Sequence, residues 1–262
     1  MSYQNRDFGI GRVTARPGKY TYGTGIGIML VDEIYPAFPG DVRNPSAYPF
    51  PIQYDIVQGV DIQALVYGQE KSKCLPPILE TAERLEKMGV RAIAAECGYF
   101  AYFQREVAAH VSIPVFMSSL LQLPLMQHVA GLRNKVGVVC ARHDQLTPAH
   151  LESVGIDPES NIVFADPTDG VPTPEFANLW NKNSRPALPT AEYAAAEADI
   201  VRLCQNFVRK HPDLRALLFE CTGFQPFARA VQREVDLPIY TWSTLLDYAY
   251  SVVNHREHYG HV

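Results

Sequence analysis

The sequence predicts an α/β fold of two pseudo-symmetric three-layer lobes, each with a mostly parallel sheet, and an active site in the cleft between them. Three observations support this prediction. Short apolar runs alternate with amphipathic helical segments, which is the pattern of parallel strands joined by crossover helices. The 262 residues, 47% of them hydrophobic, are enough for two modest domains with buried cores. Finally, the stretch RAIAAECGYF at 91–100 returns as RALLFECTGF at 215–224.

The first half of the chain alternates strand and helix patterns. One helix is expected to begin at Pro76 and Pro77 and to end at Gly89, because proline favours the first helical turn and glycine favours the residue after the last. Further helices are predicted over 101–111 and 119–132. Buried strands are predicted over 25–31, 90–95, 113–117 and 135–141.

The second half repeats this order and adds one long segment. Residues 166–189 are rich in Pro, Gly, Asp and Asn, so we expect a loop that covers the cleft as a lid. A helix then runs to about Arg209. Strands are predicted over 214–219 and 237–241, and helices over 227–235 and the tail.

The spacing of several residues repeats between the two halves. Pro114 follows Cys97 by 17 positions, and Pro238 follows Cys221 by 17 positions. Internal self-similarity of this kind indicates two copies of one structural unit, and paired units commonly form a site between them.

The repeated cysteines are the strongest candidates for chemistry. Cys97 and Cys221 each end an apolar run just before a helix, and the carboxyl ends of parallel strands line the ligand crevice. The nearby helix N-termini are expected to favour the thiolate form. Two thiols on opposite sides of one substrate suit 1,1-proton transfer, in which one removes a proton from carbon and the other returns one.

Two other interpretations stay open for these cysteines. A single cysteine at a strand end is more often a small buried hydrophobic residue, but the symmetric pair favours a site. A small-molecule binding protein with the same two lobes would keep the cleft without needing opposed thiols. Exchange of solvent deuterium into bound ligands separates an enzyme from a binding protein, which exchanges nothing.

At these residues the sequence resembles the aspartate/glutamate racemase superfamily. The resemblance rests on Cys97, on ECT with Cys221 and Thr222, on Ser118 and Ser119, and on the loop PGDVRNP with Asn44. It implies two pseudo-symmetric α/β domains, one catalytic cysteine from each, and no metal or pyridoxal phosphate; we expect no cofactor. It also implies that the chain crosses over between domains. Lobe one is then 1–118 plus 240–262 and carries Cys97, and lobe two is 119–239 and carries Cys221.

The sequence departs from the family pattern beside both cysteines. Amino-acid racemases of the family carry Asn-Thr after the first cysteine and Gly before the second, whereas this chain has Gly98 and Glu220 there. Backbone amides at Gly98 and Gly223 are expected to replace the missing polar groups. The substrate-binding candidates are Asn44, Gly98, Ser118, Ser119, Thr222 and Gly223.

The expected function is that of a cofactor-independent racemase or isomerase, acting by two-thiol proton transfer beside a carboxylate. A lyase or decarboxylase of the same superfamily is the alternative, and a non-catalytic binding protein is the second.

Two glutamates adjoin the cysteines. If strand geometry persists, Glu96 and Glu220 face away from the thiols and pair with Arg91 and Arg215.

Composition limits the partners and the location that we expect. The net charge is −5 and the basic residues are scattered, which argues against a nucleic-acid groove or an anionic membrane surface. The N-terminal residues lack a signal-peptide pattern, so a cytoplasmic protein with five free cysteines is expected. We expect a small-molecule carboxylate substrate, no nucleic acid or membrane partner, and a homo-oligomer, a dimer or larger.

Overall fold

The computed structural model of the chain describes residues 12–180 and 186–256. It contains two four-stranded parallel sheets. The first has the order β2-β1-β3-β4, formed by β1 (Ile26–Val31), β2 (Ile52–Val57), β3 (Ala92–Ala95) and β4 (Val115–Phe116). The second has the order β6-β5-β7-β8, formed by β5 (Lys135–Val139), β6 (Ile162–Ala165), β7 (Leu214–Phe219) and β8 (Ile239–Tyr240). The predicted α/β fold with two lobes is confirmed.

Helices cover both faces of each sheet, because fully buried parallel strands such as β1 need apolar partners on both sides. The helices are α1 (Leu75–Met88), α2 (Gln104–His110), α3 (Leu123–Ala130), α4 (Pro148–Ser153), α5 (Pro174–Trp180), α6 (Tyr193–Lys210), α7 (Ala228–Val235) and α8 (Trp242–Val253). Shorter 3₁₀ turns lie at Pro45–Ala47, Lys71–Cys74, Gly98–Phe103, Ser119–Gln122, His143–Gln145 and Thr222–Phe227, and a π-helical turn at Gln63–Tyr67. Gly89 ends α1 as expected, with a left-handed φ of 101°.

Two helices cross between the sheets. Leu123 and Met126 of α3 join the core beneath the second sheet. Trp242 and Leu246 of α8 join the core beneath the first sheet, beside Ile26. The division into 1–118 plus 240–262 and 119–239 remains our proposal, and its residues 1–11 and 257–262 lie outside the described ones. Within the described ranges, no helix combines the length and apolar character needed to span a membrane.

The sequence prediction missed four elements. Strands β2 and β6 lie at sheet edges and are partly exposed, so they lack the continuous apolar run of a central strand. The short helix α4 was also missed. The predicted loop 166–189 contains α5. The α5 N-terminus is fixed by the buried Asp199, whose Oδ2 accepts from the backbone N–H of Glu175 at 2.9 Å.

Candidate active site

A cavity lies where the carboxyl ends of the two sheets face each other. Its first-half lining is Val31, Tyr35, Ile62, Val66, Glu96, Cys97 and Tyr99. Its second-half lining is Ala141, Phe176, Leu179, Glu220, Cys221, Thr222 and Gly223. Both repeated cysteines therefore border one cavity, as the internal repeat predicts.

Each cysteine has the same local setting. Cys97 follows β3 by two residues and precedes the 3₁₀ turn Gly98–Phe103, and Cys221 stands in the same way between β7 and Thr222–Phe227. Both cysteines have extended backbones and partly buried side chains. The repeat in sequence thus becomes a repeat in geometry, with one thiol supplied by each lobe.

The expected lowering of the thiol pKa values is wrong. Burial raises the pKa of Cys97 and that of Cys221 well above the usual value, and the charge of Glu220 raises both further. Backbone hydrogen bonds, at Tyr99 for Cys97 and at Gly223 for Cys221, oppose the shift without reversing it. Both thiols are therefore protonated at neutral pH.

This protonation state predicts slow alkylation of the cavity cysteines. Iodoacetamide reacts with thiolates, so labelling of Cys97 and Cys221 near pH 7 should lag behind N-acetylcysteine, a free thiol with a pKa of about 8.5. The rate should keep rising as the pH passes about 9. Mass-spectrometric mapping of labelling against pH measures both quantities. A rate that levels off below pH 8 would show that the pKa values are lowered.

Glu96 forms an ion pair at the lobe-one side of the cavity. Arg43 Nε donates to Glu96 Oε2 at 2.8 Å, and Arg43 Nη2 donates to Oε1. The backbone N–H of Val31 donates to the same Oε1 at 2.8 Å. Burial raises the pKa of Glu96, and the hydrogen bonds and charge of Arg43 oppose that rise. The bidentate pair stabilises the ionised carboxylate.

Glu220 occupies the equivalent place in lobe two, but no cation pairs with it among the described residues. Its backbone N–H donates to Val139 O at 2.9 Å, as that of Glu96 donates to Met29 O at 3.0 Å. Ala141 N–H donates to Oε2 at 3.3 Å, while Oε1 is buried and has no hydrogen-bond partner within the described ranges. Burial raises the pKa of Glu220 to about 8, so its carboxyl is mostly neutral at pH 7.

The expected orientation and partners of these glutamates were wrong. Both carboxyl groups lie against the cavity beside the thiols, and Glu96 pairs with Arg43. Arg91 and Arg215 are exposed at the surface, away from the buried carboxyl groups. Strand β3 ends at Ala95 and β7 at Phe219, so the alternation of a strand does not extend to the glutamates.

The carboxyl group of Glu220 explains the glycine that follows the first cysteine. A Cβ added at Gly98 would lie 2.0 Å from Glu220 Oε1 and 2.5 Å from its Cγ. The side chain of Glu220 thus reaches across the cavity wall and fills the space beside the backbone of Gly98.

We expect Gly98→Ala to lower the free energy of unfolding by about 1–3 kcal/mol, because the new methyl group overpacks a buried contact. In the Glu220→Ala background the same change should cost at least about 1 kcal/mol less, since the overlapping side chain is gone. Urea unfolding of the four proteins in this double-mutant cycle measures the difference. Purely additive losses would contradict the contact.

The structure brings some of the predicted binding residues together and not others. Thr222 and Gly223 line the cavity, whereas Asn44, Gly98, Ser118 and Ser119 are absent from its lining. Ser119 Oγ donates to Phe219 O at 2.9 Å, and Ser118 Oγ accepts from the N–H of Leu120 at 3.2 Å. Asn44 caps the turn Pro45–Ala47. These three side chains hold the backbone around the cavity.

Tyr35, Phe176 and Leu179 are cavity residues that the sequence prediction missed. Tyr35 lies in a loop, where no periodic pattern indicates its direction. Phe176 and Leu179 belong to α5, within the segment 166–189 that was predicted to be a lid, and residues 181–185 of that segment lie outside the described ones. The ordering of this segment on ligand binding stays a prediction. Limited proteolysis with and without ligand would test it.

Comparison with known proteins supports an enzyme. No family model matches the chain. A dimethylsulfoniopropionate lyase from Durusdinium sp. clade D is 29% identical over 220 residues, which cover 82% of this chain and 70% of that protein. Dimethylsulfoniopropionate lyase 3 of Emiliania huxleyi is 28% identical over 222 residues. That match covers 82% of this chain and 56% of the lyase, so this chain spans little more than half of that relative.

Solved structures support the predicted fold. A glycine-to-cysteine mutant of arylmalonate decarboxylase, in a sulfate-associated form, superposes with a TM-score of 0.55 and 16% identity. The superposition covers 87% of this chain and 92% of the decarboxylase. Aspartate racemase from Picrophilus torridus reaches a TM-score of 0.49 at 13% identity. The arylmalonate decarboxylase superposition agrees with the predicted α/β fold.

Proposed function

We propose that the chain is a cofactor-independent lyase that splits dimethylsulfoniopropionate, or a closely related sulfonio acid, into an unsaturated acid and a neutral sulfide. The lyase alternative fits the curated relatives better than the racemase that the sequence first indicates. The observation that carries the proposal is a cavity between two lobes with two thiols and two carboxyl groups in its wall.

The reaction needs one base and no external reactant. The base removes a proton from the carbon beside the carboxylate, and the electron pair of that bond forms the carbon–carbon double bond. The bond between the next carbon and the sulfonium sulfur breaks, and sulfur keeps its electrons. The zwitterion thus becomes acrylate and dimethyl sulfide, and the proton stays on the base until solvent removes it.

Cys97 is the better candidate for the base. The charge of Lys71 lowers the pKa of this thiol, against the larger effects of burial and Glu220. A bound sulfonium group would lower it further, because a nearby positive charge favours the thiolate. The bound substrate would therefore increase the small fraction of Cys97 that is thiolate, which is the form that can accept the α-proton.

The rest of the lining suits a small zwitterion. The lining contains the aromatic residues Tyr35, Tyr99 and Phe176, a residue type that suits contact with a cation. Thr222 lines the cavity at the start of a 3₁₀ turn, and its backbone N–H is our candidate donor to the carboxylate and to the enediolate that forms from it.

The racemase remains the second candidate because two thiols border one cavity. It requires each thiol to serve one enantiomer of an amino acid or a similar acid. A lyase needs only one base, and its products differ from its substrate in composition. Product identification therefore separates the two.

The test incubates the purified chain with dimethylsulfoniopropionate. Headspace gas chromatography detects dimethyl sulfide, and proton NMR detects acrylate in equal amount. In parallel, each enantiomer of aspartate and glutamate is incubated in heavy water and followed by NMR for loss of the α-proton. We expect elimination and no exchange in the amino acids. Exchange in both enantiomers without sulfide release would replace the lyase by the racemase.

A further inference from the structure

The two glutamates beside the thiols differ in one respect that the internal symmetry does not require. Both accept a backbone N–H from the neighbouring central strand's end, from Val31 for Glu96 and from Ala141 for Glu220. Glu96 also forms an ion pair with the guanidinium of Arg43. Glu220 has no equivalent cation in the described part of the chain, and its Oε1 is buried without a partner.

Among the residues that the structure describes, no cationic side chain pairs with Glu220. The titratable groups that interact with it are the thiols of Cys97, Cys140 and Cys221 and the phenol of Tyr99. Burial raises the pKa of each of them, so all four are neutral at pH 7. A carboxylate at this place would be an isolated buried charge, which is costly unless a cation arrives with the ligand.

We propose that Glu220 is the specificity residue for a positively charged substrate, and that on binding its carboxyl group turns from the backbone of Gly98 to the onium group of the bound acid. The proposal rests on the lyase function above, since a sulfonium acid carries such a group. On binding, the onium group enters the cavity and the Glu220 proton leaves to solvent, so the carboxylate of Glu220 balances the charge of the onium group. A neutral acid of the same shape finds no such partner.

The proposal predicts discrimination between two ligands of equal shape. The probes are 3-(trimethylammonio)propanoate, which carries an onium centre, and 4,4-dimethylpentanoate, in which carbon replaces the nitrogen. Isothermal titration calorimetry near pH 7, in two buffers with different ionisation enthalpies, gives the affinity and the protons released. We expect the onium acid to bind at least about tenfold more tightly. Its binding should release close to one proton, because the pKa of Glu220 is about 8 in the free chain.

Glu220→Gln keeps the shape of the side chain and removes its ionisation. In this variant the preference for the onium acid should disappear, proton release should stop, and the affinity for 4,4-dimethylpentanoate should stay the same. The matched control is Glu70→Gln, which removes a carboxylate that is 68% exposed and away from the cavity. It should behave as the parent chain does.

Thermal unfolding shows whether Glu220→Gln folds. It also tests the ionisation of the Glu220 carboxyl group in the parent chain. The folded pKa of Glu220 is about 8, above its ordinary value near 4.5. Between these values the folded state holds a proton that the unfolded state has lost, so the parent chain loses stability as pH rises. The difference between the melting temperatures of Glu220→Gln and the parent chain should therefore shift in favour of the variant as the pH rises from 5 to 8. Above pH 8 this difference should stay constant.

Several results would overturn the proposal. They are equal loss of affinity for both acids in Glu220→Gln, proton release that persists in that variant, no preference for the onium acid in the parent chain, or no binding of either acid. Loss of turnover with unchanged onium binding would make Glu220 a proton relay instead. The measurements of affinity, proton release and melting temperature do not need turnover. A chain that forms no dimethyl sulfide but shows the discrimination would refute the lyase and leave the onium site standing.

Discussion

Replacing Cys97 with alanine should lower kcat/KM for sulfide release by about 10²–10⁴-fold, because the reaction loses its base and water must replace it. The loss should appear mainly in kcat, since the thiol takes the proton in the transition state and adds little to binding of the ground state. Initial rates of dimethyl sulfide formation measure it. A Cys97→Ser variant should be nearly as slow, since a hydroxyl is a far poorer base at neutral pH.

Two further cysteine variants make this result specific. Cys221→Ala should lower kcat/KM less than Cys97→Ala does, because the thiol of Cys221 faces the substrate without taking the α-proton. Cys204→Ala is the matched control, since Cys204 lies in the core under the second sheet and does not line the cavity. It should keep the parent rate. A larger loss for Cys221→Ala would assign the base to Cys221. Strict dependence on both thiols, together with α-proton exchange, would favour the two-base racemase.

The second large effect concerns Arg43. Arg43→Ala should lower the free energy of unfolding by about 3–5 kcal/mol, because it leaves the carboxylate of Glu96 buried without its counter-charge. Arg43 also donates to the carbonyl groups of Val31 and Glu33, and its guanidinium lies 4.6 Å from the centre of the Tyr35 ring. These contacts hold one wall of the cavity, so ligand affinity should fall with stability.

A surface pair provides the control for Arg43. Arg84 Nε donates to Asp55 Oδ2 at 2.9 Å, but the two side chains are 45% and 28% exposed. Arg84→Ala should therefore cost no more than about 1 kcal/mol. In Arg43→Met/Glu96→Gln neither charge remains, and much of the stability should return. Urea unfolding of all four chains gives the comparison. Equal costs for Arg43→Ala and Arg84→Ala would mean that Glu96 is not an isolated buried charge.

The sequence predicted the six strands whose apolar runs are interrupted least, and it located both cysteines on one cavity. The periodicity of buried residues is a local property, so it can be read without knowing the partners. Strand β2 was missed because Gln53 and Asp55 break the apolar run at an exposed edge. Helix α5 was missed because its stability depends on Asp199, which caps it from 24 residues away.

The chemistry of the glutamates was beyond the reach of the sequence for a related reason. The partner of Glu96 is Arg43, 53 positions earlier in a Pro-rich loop, and no spacing rule connects them. Alternation along a strand also fails at the last residues before the cavity. There the chain has left the sheet, so consecutive side chains such as Glu96 and Cys97 both reach the same space.

The contact between Gly98 and Glu220 has an evolutionary consequence. Two positions 122 residues apart share one volume, so the effect of a substitution at either depends on the residue at the other. The pattern of the amino-acid racemases that the sequence resembles places a side chain after the first cysteine and none before the second, and this chain does the reverse. A lineage can pass between the two arrangements without a clash only through an ancestor that is small at both positions. We expect such an ancestor to have a wider cavity, without a polar side chain at position 98 or at position 220. It should therefore accept a broader range of substrates.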